Sequence, residues 1–134
     1  MRDEDDRPIG ADDLWQGSMM ANAARDPFWW AMVAAETATF PGLKDEIEGE
    51  CMPCHTPMAV VDGQFNGDNE PTLDWLFAGD DRANFGLDGV ACAACHQIQP
   101  DNLGTEASYS GHYVIKQANT MFGPHADPFQ QPMM

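Results

Sequence analysis

Residues 51–55 read Cys-Met-Pro-Cys-His, and residues 92–96 read Cys-Ala-Ala-Cys-His. The chain holds 4 cysteines, and these two stretches use all of them. Each pair is followed at once by a histidine. On a helical turn, positions i, i+3 and i+4 share one face, so both thiols and the imidazole of each stretch point the same way. That is the pattern of c-type haem attachment. Two thiols add across the two vinyl groups of one haem, and the histidine next to the second cysteine reaches the iron. Cys51, Cys54 and His55 are the expected holders of one haem c, and Cys92, Cys95 and His96 of a second.

Two other chemistries use paired cysteines. A four-cysteine zinc site places its pairs about 15–20 residues apart. Here 37 residues separate them, and zinc gives no reason for a histidine after each pair. A thioredoxin-like redox pair needs a βαβ setting, which neither stretch has. Haem attachment accounts for every position.

The rest of the sequence agrees with an interior that a prosthetic group helps to fill. The 134 residues suffice for one compact domain. A chain of this size builds a thin core of its own, and this one is broken by 10 prolines and 12 glycines. The expected fold is mostly α, with short helices and long irregular loops organised around two covalently bound haems.

Residues 1–13 read as a flexible acidic arm, and 14–134 as a single dihaem domain. A helix is expected from Leu14 to about Arg25, capped by Asp12 or Asp13. Asp26-Pro27 starts a second helix that stops before Pro41. Lys44 to Glu50 forms a helical turn that feeds Cys51. Residues 56–70 read as loop, Pro71 to Ala78 as a short helix and Val90 to Gln97 as a helical segment. Tyr109 to Ile115 reads as a short strand, and the tail 123–132 as irregular.

Charge limits the partners. There are 6 Lys and Arg against 22 Asp and Glu, a formal net charge of −16. Nucleic acid binds through cationic neutralisation of phosphates, so it is excluded as a partner class. Anionic membrane surfaces are disfavoured for the same reason, and no stretch is long and apolar enough to span a bilayer. The fitting partners are redox proteins with basic surfaces. No signal-peptide pattern follows Met1, so a chain whose haems are attached outside the cytoplasm is expected here in mature form, periplasmic or extracellular. The ending Pro132-Met133-Met134 suggests a piece of something longer.

Each iron has a sixth position. The two remaining histidines, His112 and His125, match the two haems in number. Methionine competes, because a thioether is a good axial ligand and raises the reduction potential relative to histidine. The chain has 9 methionines, most of them expected to fill packing gaps. Met19 and Met20, in "LWQGSMMANAARDPFWW" (residues 14–30), lie just upstream of the first motif. Trp29 and Trp30 read as packing residues, Asp80-Asp81 as surface or helix cap, and Arg25 and Arg82 as candidate partners of haem propionates.

Three stretches, "WQGSMMA" (15–21), "CMPCHTPMA" (51–59) and "DGVACAACHQI" (88–98), resemble the multihaem cytochrome c superfamily that includes the cytochrome c-554-like proteins. Several members carry Trp-x-x-Ser-x-His, whose histidine ligates a haem iron from a helix, and Gly-Val-x-Cys-x-x-Cys-His for another haem. Gly89-Val90-Ala91-Cys92 follows the latter. Trp15 to Met20 follows the former, with Met20 where histidine stands. The resemblance, over about residues 14–125, implies that Met20 is an axial ligand and that one haem is His/Met, with Met19 as the alternative. Members often carry more haems on a longer chain, which would make this a dihaem domain of a larger cytochrome or assembly, with Met133 or a residue beyond the end a further ligand in the parent.

The expected function is electron transfer by haem-to-haem hopping, with the chain a carrier and not an enzyme. Two other classes stand beside it. One is a haem enzyme with an open iron acting on a nitrogen oxide or peroxide, for which the sequence offers no convincing distal acid–base group. The other is a repeat unit of a polymeric haem wire.

Overall fold

The computed structural model describes residues 1–69, 71–117 and 120–126. It is mostly helical, with short helices and almost no strand. Among the described residues six α-helices follow one another: α1 (Ala11–Trp15), α2 (Pro27–Thr39), α3 (Lys44–His55), α4 (Pro57–Asn66), α5 (Asp81–Leu87) and α6 (Cys92–His96). Single 3₁₀ turns sit at Ala23–Arg25, Pro41–Leu43, Trp75–Phe77 and Glu106–Ser108.

The core is small. Trp29 and Val33 of α2, Met52 of α3, Val60 of α4, and Leu73 and Leu76 around the third 3₁₀ turn form one buried cluster. Burying a side chain of this size stabilises by about 1.5–3 kcal/mol. Glu48 is buried beside it; Lys44 donates to its Oε1 at 2.7 Å, and the Leu73 amide approaches the same oxygen at 3.4 Å. That hydrogen bond holds the Lys44 ammonium above its usual value, against some desolvation.

The strongest sequence signals give the expected elements. Asp26 caps α2 by accepting from the Phe28 amide at 2.9 Å, and Pro27 occupies the first turn. Asp80 caps α5, accepting from Ala83 N at 2.7 Å. The turn expected at Lys44–Glu50 is the start of α3, which runs through the whole first motif with Pro53 inside its last turn.

Elsewhere the structure corrects the sequence reading. The helix expected from Leu14 to Arg25 stops at Trp15, and α1 begins at Ala11, inside the expected arm. Beyond Trp15, polar side chains replace the helical ladder. Ser18 Oγ accepts from Ala21 N at 3.1 Å, and Asn22 Nδ2 donates to the carbonyls of Gln16 and Ser18, each at 2.9 Å. The arm itself folds back, with Ile9 N donating to Met1 O at 3.0 Å.

Residues 56–70 are largely helix, not loop. Pro57 opens α4, Ala59, Val60 and Gly63 pack inward, and Gly67 closes it in the left-handed region at φ 70°. Gly63 is internal because Arg82 lies over it; a Cβ there would come within 2.6 Å of Nη2. The helix expected at Pro71–Ala78 is one 3₁₀ turn, since Thr72 Oγ1 accepts from Trp75 N and leaves Phe77 exposed. The strand expected at Tyr109–Ile115 shrinks to an isolated bridge between Ile98 and Ile115. Ser110 (φ 52°) and Gly111 (φ 82°) break the extended run. Residues from 127 onward, including Met133 and most of the expected irregular tail, lie outside the described residues.

Candidate haem-binding sites

Both motifs are helical, and the geometry follows from the helix period. In α3, Met52 turns into the core at 1% exposure, while Cys51 and His55 are half-buried and Cys54 is exposed. In α6, Ala94 turns inward, and Cys92, Cys95 and His96 are all exposed. All four thiols are free; the second motif's thiols and imidazole are exposed together, whereas in the first only Cys54 is exposed, with Cys51 against the core and His55 against Trp29.

The imidazoles are oriented by backbone carbonyls. His55 Nδ1 lies 2.8 Å from the Ala23 carbonyl, and His96 Nδ1 lies 2.6 Å from the Phe122 carbonyl. A carbonyl only accepts, so Nδ1 carries the proton in both rings, and Nε2 keeps its lone pair free for a metal. An outer hydrogen bond of this kind fixes the tautomer and ring orientation of a ligating histidine. The Phe122 amide also donates to the His96 carbonyl at 2.7 Å, making a reciprocal pair.

Trp29 packs on the first site. Its ring stacks on His55 at 4.1 Å between centroids and 7° between planes. The indole N–H is buried and makes no hydrogen bond among the described residues. Burial pushes the Cys51 thiol above its usual value, with the neighbouring Trp29 indole opposing.

The segment 15–25 joins the two motifs. The Met20 carbonyl accepts from Val90 N at 3.1 Å, and the Val90 carbonyl accepts from Trp15 Nε1 at 2.8 Å. Gly89, at φ 65°, lets this approach occur, since a Cβ would meet the Ala21 carbonyl oxygen at 2.6 Å. Three residues further on, Ala23 supplies the carbonyl for His55. The stretches at 15–21 and 88–98 are thus docked on each other.

The candidate distal ligands fall in different places. Met20 is half-exposed at the approach to the second motif. Met19 is 90% exposed. His112 is exposed between Gly111, which lies against Pro53, and Tyr113. His125 is exposed three residues after Phe122. Large apolar side chains stay exposed in the flanking segments, among them Met20, Phe28, Met32, Met121 and Phe122, which is the surface a large flat apolar group would cover.

Arg82 is otherwise engaged: it sits 5.1 Å from the Trp75 ring centroid and donates to the Asn69 carbonyl at 2.9 Å. Arg25 is exposed, two residues after Ala23, and makes no ion pair among the described residues. Those residues bring together no group of three or more His, Cys, Asp or Glu suited to a metal ion, so the four thiols do not converge as a zinc site would require. The carbonyl partners Ala23 and Phe122 had no sequence signal, because any residue supplies a carbonyl. Trp29 was visible only as a packing aromatic.

No protein-family model matches the chain, and no curated protein or solved structure is significantly similar to it.

Proposed function

We propose that the chain is a dihaem c-type cytochrome that transfers electrons, working in the periplasm or outside the cell. One observation carries this reading: both Cys-x-x-Cys-His stretches are helical, their four thiols are free, and a backbone carbonyl holds each imidazole at Nδ1, which leaves Nε2 of the neutral ring to take an iron. Cys51 and Cys54, and Cys92 and Cys95, would hold the groups covalently. His55 and His96 would ligate the irons, and Met20, His112 and His125 are the candidates for the opposite positions. Arg25 is the cation available to a propionate. When bound, each haem supplies a one-electron couple whose potential follows its axial ligands, burial and surrounding charge. The excess of carboxylates favours ferric iron and lowers the potentials, while a methionine ligand raises one of them. The resemblance to cytochrome c-554-like proteins supports the same reading from the motifs. The acidic surface suits a redox partner with a basic one, and among the described residues no helix is long and apolar enough to cross a membrane.

Haem content by a pyridine assay, with near-infrared magnetic circular dichroism of the oxidised protein, tests this. The expected result is two covalent haems per chain, both low-spin. A His/Met band beside a bis-histidine band assigns Met20; two bis-histidine bands assign His112 and His125 instead. A high-spin iron would point to an enzyme, and a chain without covalent haem would overturn the reading.

A further inference from the structure

Residues 111–115 touch both motifs. On one side, Gly111 lies so close to the Pro53 ring that no Cβ would fit, and the Tyr113 hydroxyl donates to the Pro53 carbonyl at 3.3 Å. Pro53 lies between Cys51 and Cys54. On the other side, the Val114 carbonyl accepts from Gln99 N at 2.7 Å, and Ile115 bridges to Ile98, two residues beyond His96. A five-residue strap therefore ties the interior of the first motif to the exit of the second. Fully extended, such a strap spans roughly 17 Å, which bounds how far the two helices can part.

Tyr113 is the strap's half-buried aromatic. Burial pushes its phenol up to about 12, and the Cys54 and Cys95 thiols add to the rise.

We propose that Tyr113 is a positioning residue that fixes the separation of the two haems, and with it the strength of their electronic interaction. The proposal rests on the dihaem reading. The phenol stays neutral and is neither oxidised nor reduced; it acts by holding Pro53 while Val114 and Ile115 hold the second motif. Tunnelling between redox groups falls steeply with their separation, so a loosened strap slows exchange between them without altering either iron's ligands.

The test compares holoprotein variants. Tyr113→Ala should keep two low-spin haems with unchanged ligand bands. It should slow electron exchange between the haems by about tenfold and weaken their magnetic interaction in electron paramagnetic resonance. Tyr113→Phe, which keeps the ring and loses the hydrogen bond, should give a smaller change in the same direction. Tyr109→Ala, an exposed tyrosine off the strap, should change nothing. In the haem-free full chain, a short bifunctional thiol reagent should cross-link Cys54 to Cys95, with lower yield in Tyr113→Ala. Two haems with unchanged exchange rate and magnetic interaction in Tyr113→Ala would overturn the proposal. If that variant fails to fold, an unchanged rate in Tyr113→Phe does so. A wild-type chain without covalent haem would instead sink the dihaem reading, while the cross-link yields still report on the strap.

Discussion

The same five-residue pattern occurs twice, in two different settings. The first copy ends a 12-residue helix whose Met52 is part of the core. Its imidazole is stacked on a buried indole and tied to Ala23. The second copy is itself a 5-residue helix with an exposed imidazole, tied to Phe122 in an irregular segment. Behind it lies an apolar cavity of about 190 Å³ lined by Met58, Val61, Phe65, Phe85, Ala94 and Ile115. Helices this short do not stand alone. The first site is therefore preorganised by the core, and the second takes its order from loop contacts and, in the dihaem reading, from the haem it holds.

The largest expected difference appears on removing the thiols. Cys51→Ala with Cys54→Ala, and Cys92→Ala with Cys95→Ala, should each leave one covalent haem of two, read by mass and pyridine assay. The circular dichroism of the second double variant should lose the α6 turn, while the first should keep α3. Equal losses of helix would end the claim that the two settings differ.

Next comes Trp29→Ala. Truncating a buried tryptophan costs about 3–5 kcal/mol. Phe122→Ala, an exposed side chain whose carbonyl survives the change, should cost within about 0.5 kcal/mol. Urea unfolding of both variants measures the contrast, and similar midpoints would remove it.

Gly89→Ala should cost about 1–3 kcal/mol, because alanine is strained at a positive φ and its Cβ would strike the Ala21 carbonyl. The change should disturb the ligand band of the second haem and spare the first.

The smallest effect is in alkaline solution. The Tyr113 phenol is raised to about 12 in the fold, against about 10 in the unfolded chain. Its neutral form is favoured in the fold, so this stability is complete below pH 10 and is lost as pH rises through 12. In the dihaem reading, thioether formation would cap the Cys54 and Cys95 thiols and leave burial as the cause. Tyr113→Phe should flatten this part of the stability curve in alkaline urea titrations; an unchanged slope would place the loss elsewhere.

Helix capping at the strongest start signals was legible in the sequence. Asp26-Pro27 and Asp80 cap helices as their types dictate. The two Cys-x-x-Cys-His stretches fall on helical turns as their spacing requires. The failures have two causes: local side-chain hydrogen bonds from Ser18, Asn22 and Thr72 cut short the helices expected at 14–25 and 71–78, and contacts distant in the chain reshape 57–66 and 109–115. Gly63 reads as a loop residue until Arg82, 19 positions later, is seen to occupy its missing side chain. Tyr109–Ile115 reads as a strand, yet docking against Pro53 demands the left-handed Gly111 that ends it. The histidine tethers are backbone groups and leave no trace in composition. Met20 could be named from a motif, but its place beside Val90 needed the fold.

The two tethers also lie on opposite sides of their motifs in chain order. Ala23 precedes the first histidine, whereas Phe122, like the strap at 111–115, follows the second. A polypeptide that emerges from its amino end presents the partner of His55 before Cys51 is exposed. It presents all four thiols before anything exists to close over Pro53 or His96. In the dihaem reading, the order of residues thus builds a delay into maturation: both attachment sites stand open until residues 111–122 arrive to fasten them.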